Sequence, residues 1–114
     1  MSEKLIDPQA AVDFMIAKSK AYAQAEANKV YMEELRKTIK AEEMIKAEMR
    51  DHKTAVMQER EAYASQRYKD HLLALQQAVE IREELRWMLI AAQARIEVWR
   101  SQEASNRAEG KATI

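Results

Sequence analysis

LLALQQAVEIREELRWMLIAAQARIEVWRSQEASNR, residues 72–107, decides how this chain folds. No Gly or Pro interrupts it, and at 100° per residue its apolar side chains fall on two sides of one helix. Ala78, Ile81, Leu85, Met88, Leu89, Ala92, Ile96 and Trp99 make one face. Leu73, Trp87, Ile90, Ala91, Ala94 and Val98 make the other. Arg82, Arg86, Gln93, Glu97, Arg100 and Arg107 form a polar stripe between them, with Arg95 on the far side. One neighbouring helix covers only one such face, so the segment requires at least two neighbours.

The rest of the composition agrees with an all-α chain. A single Gly, Gly110, and a single Pro, Pro8, leave almost no turn chemistry for a sheet. Good helix formers dominate: Ala, Glu, Lys, Arg, Gln, Met and Leu. The 114 residues suit one domain. Basic and acidic residues number 19 each, and they balance within each half as well, 11 of each sign through Arg60 and 8 of each after it. A domain that grips phosphate nonspecifically is normally strongly basic, which this one is not. Without cysteine there is no disulfide framework, no thiolate nucleophile and no Cys-based zinc site. The N-terminal residues carry no signal-peptide apolar core, and the longest apolar run, Trp87 to Ala92, is far short of the ~20 residues a bilayer needs. The chain reads as cytosolic.

Working back to the start, residues 1–7 read as a tail. Asp7 is suited to cap a helix whose first residue is Pro8. From there a seven-residue spacing runs through Phe14, Ala21, Asn28, Leu35, Glu42, Met49, Val56 and Tyr63, accompanied by Ala17, Tyr31, Ile39 and Ile45. Asn28 and Glu42 interrupt this seam, which points to irregular bundle packing rather than a long parallel zipper. Asn28 either fixes register from inside or stands exposed on a rotated helix. The Ala-rich stretch 10–30 permits close approach to a bulky partner segment such as that of Trp87 and Trp99. Residues 33–53 are densely charged, with Glu33/Lys37 and Glu42/Lys46 in the favourable i,i+4 order.

The first helix is therefore expected over 8–62, with a break or short extra helix where Asp51-His52-Lys53-Thr54 interrupts and Thr54 can cap the next segment. The main reversal is expected at 62–66, where Ser65 can cap a second helix over 66–108 and Tyr63 and Tyr68 flank the turn. Gly110 is placed to end that helix, leaving 109–114 as a tail. Two helices of this length make an antiparallel hairpin with little enclosed volume. A homodimer forming a four-helix arrangement would cover the second apolar face, and Trp87, Ile90, Ala94 and Val98 are the interface residues it implies. A partner protein could cover the same face.

Chemistry is sparse. His52 and His71, with Asp51 and Asp70 beside them, flank the expected turn, but the Glu-x-x-His repeats of di-iron bundles are absent and no metal or cofactor site is expected. There is no Ser/His/carboxylate arrangement, no Gly-rich phosphate loop and no carboxylate pair in an apolar pocket, so no enzyme is expected. Seven methionines can serve as core filler or as an adaptable binding surface. Arg82, Arg86, Arg100 and Arg107 could follow a phosphate backbone, with Trp99 or Tyr68 as a stacking surface for single-stranded DNA. The interleaved Glu83, Glu97 and Glu103 oppose phosphate and favour ion pairing within the helix.

Glu59-Arg-Glu-Ala-Tyr-Ala-Ser65, Tyr68-Lys69, Leu85-Arg-Trp87 and the run from Ala91 to Ala108 resemble a group of small helical proteins of tailed bacteriophages and prophages, commonly encoded beside recombination and single-strand annealing genes. The resemblance covers about residues 55–109, and Trp99-Arg100 with Asn106-Arg107 is its most distinctive part. It implies a setting, phage DNA metabolism inside a bacterial cell. Three functions follow as expectations. The first is an accessory protein of recombination or replication that binds a phage or host protein, with single-stranded DNA as a further ligand and Arg82, Arg86, Trp99, Arg100 and Arg107 as contacts. The second is an anti-defence protein, such as an anti-CRISPR-like inhibitor, that blocks a host effector complex. The third is a purely structural bundle.

Overall fold

The structure, a computed structural model, describes residues 5–113, with side chains to residue 111. Of the expected tails, residues 1–4 and Ile114 lie outside the described residues. Among the described residues three helices follow one another: α1 Pro8–Met49, α2 Ala55–Ala64 and α3 Gln66–Thr113. Among the described residues there is no strand, and no helix is long and apolar enough to cross a membrane. The fold is all-α, a long antiparallel helical hairpin in which α1 and α3 are the arms.

Each helix boundary has a local cause. At the start of α1 the Asp7 carboxylate accepts from the backbone N–H of Gln9 at 3.0 Å and of Ala10 at 3.1 Å, satisfying two donors that the first turn cannot. α1 ends because Asp51 adopts a left-handed φ of 67°. The His52 N–H then reaches the Ala47 carbonyl and the Asp51 N–H the Glu48 carbonyl, the bond pair of a Schellman cap. Glycine usually takes this position; with a single Gly in the chain, an Asp fills it, since its short polar side chain tolerates the conformation better than most. Thr54, extended at φ −105° and ψ 151°, accepts from the Met57 N–H and caps α2. Ser65 serves two helices: its hydroxyl donates to the Ala62 carbonyl at 2.7 Å and accepts from the Tyr68 N–H at 3.2 Å. Tyr63 and Tyr68 meet edge to face across it, with ring centroids 5.2 Å apart.

These boundaries correct two expectations. The reversal lies at 50–54 and not at 62–66. Glu59 of α2 already stands beside Lys40, and Glu61 beside His52, so the chain has turned before Ser65 is reached. Nor does Gly110 end α3, which continues to Thr113. Gly110 keeps a negative φ with nothing within 4 Å of where a Cβ would stand, so neither a left-handed cap nor a close approach uses its freedom.

The described residues pack as two units. In residues 24–83, antiparallel pairing is set by contacts whose α1 numbers rise as their α3 numbers fall: Glu26 with Arg82, Met32 with His71, Glu42 with Arg67. In the other, residues 5–23 pack with 84–113. Both seams are lean. Among the described residues the buried apolar side chains are Ala11, Ile39, Ala47, Ala62, Ala78 and Ala92, and no large side chain is fully buried. At ~0.8 kcal/mol per buried CH₂, alanine methyls supply little each. What they supply is proximity, since a small side chain lets backbones approach and long neighbours such as Leu85, Leu89, Ile96 and Trp99 become half-buried alongside.

On α1 the seam is not the row the heptad spacing suggested. Phe14, Ala21 and Leu35 are half-buried, but Asn28, Glu42, Met49, Val56 and Tyr63 are exposed. Ala11, Ile39 and Ala47 carry the burial, joined by Lys18, Ala25 and Met32. This seam keeps the seven-residue spacing as far as Ile39, displaced by three positions from the expected row, and then advances by fours, through Glu43 to Ala47, which offsets the drift of about 20° per heptad of a 3.6-residue helix. The carboxylate of Glu43 lies in that seam with the Lys46 ammonium 3.0 Å from Oε2. That contact is an ion pair without hydrogen-bond alignment.

Candidate interaction surface

The two apolar faces of α3 have different fates. Ala78, Leu85, Leu89, Ala92, Ile96 and Trp99 turn inward and are buried or half-buried. Ile81, expected with them, is 55% exposed; Arg82 takes the seam position instead. The second face stays in solvent throughout. Within the unit formed by 5–23 and 84–113, Trp87 is 58% exposed, Val98 47% and Ile90 40%, with Ala91 and Ala94 open between them. Leu73, in the other unit, is also exposed. Scattered apolar residues on a surface are ordinary; a continuous row that includes a Trp is not.

This row continues into a groove that sequence reading did not single out. Glu97, Val98, Ser101, Gln102, Ser105 and Asn106 line an open recess along the same helix. Its floor is low because two serines follow Val98 at helical spacing. The signal was legible in principle, since Ser101 and Ser105 extend the row of Ala94 and Val98 by steps of three and four.

The arginines do not form one open row. Arg82 is turned into the seam, where its Nε donates to Glu26 Oε2 at 2.5 Å and its Nη1 to Glu83 Oε1 at 2.6 Å. Arg86 lays its guanidinium over the Trp87 ring, 5.2 Å from the centroid, covering one face of the indole. Arg100 pairs with Glu97 at 3.3 Å, and Arg107 donates to the Glu103 carbonyl at 3.4 Å. Trp99 is half-buried on the inner face. Of these five, Arg86, Arg100 and Arg107 remain at the surface or its edge, while Arg82 and Trp99 are engaged in the hairpin.

A second cluster lies in the unit of residues 24–83, where Arg36, Lys37, Lys40, Tyr63 and Tyr68 line a shallow recess. Lys40 donates to Glu59 at 2.8 Å and lies 4.8 Å from the Tyr63 ring centroid. The hydrogen bond to Glu59, with Tyr63 adding to it, raises the Lys40 pKa above its ordinary 10.5. The same bond lowers the Glu59 carboxyl below 4.5. Lys37 is held by Glu34 at 3.2 Å. Two of the three cations thus carry a carboxylate of their own, which weakens the recess as an anion site.

The histidines serve the hairpin. His71 is buried, with Nε2 2.6 Å from the Met32 carbonyl, so this nitrogen carries the proton and donates. The His52 carbonyl accepts from Gln58 Nε2 at 2.9 Å and its ring faces Glu61 at 3.8 Å. Among the described residues no three His, Asp or Glu side chains are grouped to hold a metal ion. No protein-family model, no curated protein and no solved structure matches the chain.

Proposed function

We propose that this chain is a non-enzymatic helical interaction protein, accessory to phage DNA recombination or replication, that works by assembly through the outward face of α3. One observation carries the reading: Trp87, Ile90, Ala94 and Val98 form a continuous apolar row in solvent on the unit of residues 5–23 and 84–113. Exposing a Trp on a long helix is costly unless that surface is covered in the working state. The phage setting is supported by the resemblance of residues 55–109 alone. Single-stranded DNA takes second place, because Arg82 is committed to Glu26 and Glu83 and the remaining arginines alternate with carboxylates.

Affinity purification from phage-infected cells tests this, comparing the wild-type chain with Ala94→Glu. Ala94 is exposed and Glu is a good helix former, so the variant folds. Recombination proteins retained by the wild type and lost with the variant are expected. An identical set of retained proteins with both chains would refute the reading.

A further inference from the structure

We infer that the partner seated on the outward face of α3 is a second copy of this chain, packed antiparallel, with Trp87 of each copy in the Val98–Ser105 groove of the other. This rests on the reading of that face as an assembly surface. Three observations select the occupant. The first is extent. Trp87, Ile90, Ala91, Ala94 and Val98 keep this face open over 11 positions (98 minus 87), about 17 Å of helix, a length that the same face of a second copy matches.

The second is shape. Along this face the bulky side chains come first, Trp87 and Ile90, and the small ones last, Ser101 and Ser105. Trp87 and Ser105 are 18 positions apart (105 minus 87), five full turns, so they point the same way about 27 Å from each other. Antiparallel pairing sets the knob of one copy over the groove of the other, twice, by symmetry. Parallel pairing would set Trp87 against Trp87 and leave Ser101 and Ser105 facing an unfilled gap.

The third is charge. Between Glu84 and Glu103 the helix carries Arg86, Arg95 and Arg100 against Glu84, Glu97 and Glu103, three of each sign. Such a rim offers no net field by which a strongly acidic or basic partner would be chosen. The register does bring the two Arg95 side chains near each other. Both are at the surface, where salt screens their repulsion, so the dimer tightens as salt is added. A dimer held by ion pairs would loosen.

Light scattering on the purified full chain, over a wide concentration range and at two salt concentrations, is the test. A mass of two chains is expected, with the dissociation constant raised about a hundredfold by Ala94→Glu, which would bury an unpaired charge. Trp87→Ala should weaken it by about tenfold or more. Circular dichroism showing unchanged helicity keeps both results readable as interface effects. Because the chain has no cysteine, Ser105→Cys reports orientation: antiparallel copies hold the two sulfurs far apart and no disulfide forms on oxidation, whereas a disulfide-linked dimer overturns the antiparallel arrangement. A monomer at every concentration overturns self-pairing yet leaves the face open to another protein. A dimer indifferent to Ala94→Glu likewise overturns self-pairing on this face, and the affinity purification then decides whether another protein takes it.

Discussion

Arg82 of α3 donates to the Glu26 carboxylate of α1 from a seam position that an apolar side chain would ordinarily hold. Its side chain is 19% exposed and that of Glu26 38%, so the pair is desolvated enough to matter and open enough to stay charged. Such a polar layer in a lean seam fixes which residues of α1 and α3 face each other, in the way a single buried polar residue sets register in coiled coils.

Removing one partner should therefore cost more than replacing it. Arg82→Ala leaves Glu26 without its cation and is expected to destabilise the chain by about 1–2 kcal/mol, between the values for exposed and fully buried pairs. Arg82→Met fills the same space without a charge and should recover part of that loss, with register less strictly held. Thermal melts followed by circular dichroism give the order; a Met variant less stable than the Ala variant would contradict it.

The Lys40–Glu59 bond joins α1 to α2 and gives the fold a pH dependence whose sign follows from its two shifts. Glu59 has its carboxyl lowered by Lys40, so its contribution is present above 4.5 and is lost as pH falls through the lowered folded value. Lys40 is raised by Glu59, so its contribution is present below 10.5 and is lost as pH rises through the raised value. Wild type should melt above Glu59→Gln in the window between, and the two melting curves should converge in strong acid. A gap that persists unchanged to the lowest pH would show that the bond is not its cause.

Asp51 holds a left-handed φ of 67°, which a Cβ makes costly and glycine does not. Asp51→Gly is expected to stabilise the α1 cap by about 0.5–1 kcal/mol, whereas Asp51→Val should destabilise by more, since a β-branched side chain resists that conformation. Urea denaturation measures both. Equal midpoints for wild type and the Gly variant would mean that the Asp side chain offsets its own strain.

Much of this arrangement is legible in the residues themselves. Asp7 and Pro8, Thr54, and Ser65 with Gln66 are local signals, because a cap is formed by a side chain and backbone groups two or three residues away. Asp51 is not legible in the same way. A left-handed cap normally announces itself with Gly or Asn, and an Asp amid charged helix formers marks only a weak break. The break at 51–54 therefore reads as weaker than the one at Ser65, in the reverse of their structural order.

By itself the sequence determined that this chain is helical and that its last long helix has two apolar sides, because both follow from spacing along one strand of covalent geometry. Only tertiary structure decided which side is covered. The inner face of α3 went to α1, leaving Trp87, Ile90 and Val98 in solvent, and Arg82 moved from an imagined outward row into the seam because Glu26 stands opposite it. The physical reason is that periodicity records which residues share a face, whereas the neighbour of a face is set by register between segments more than fifty residues apart.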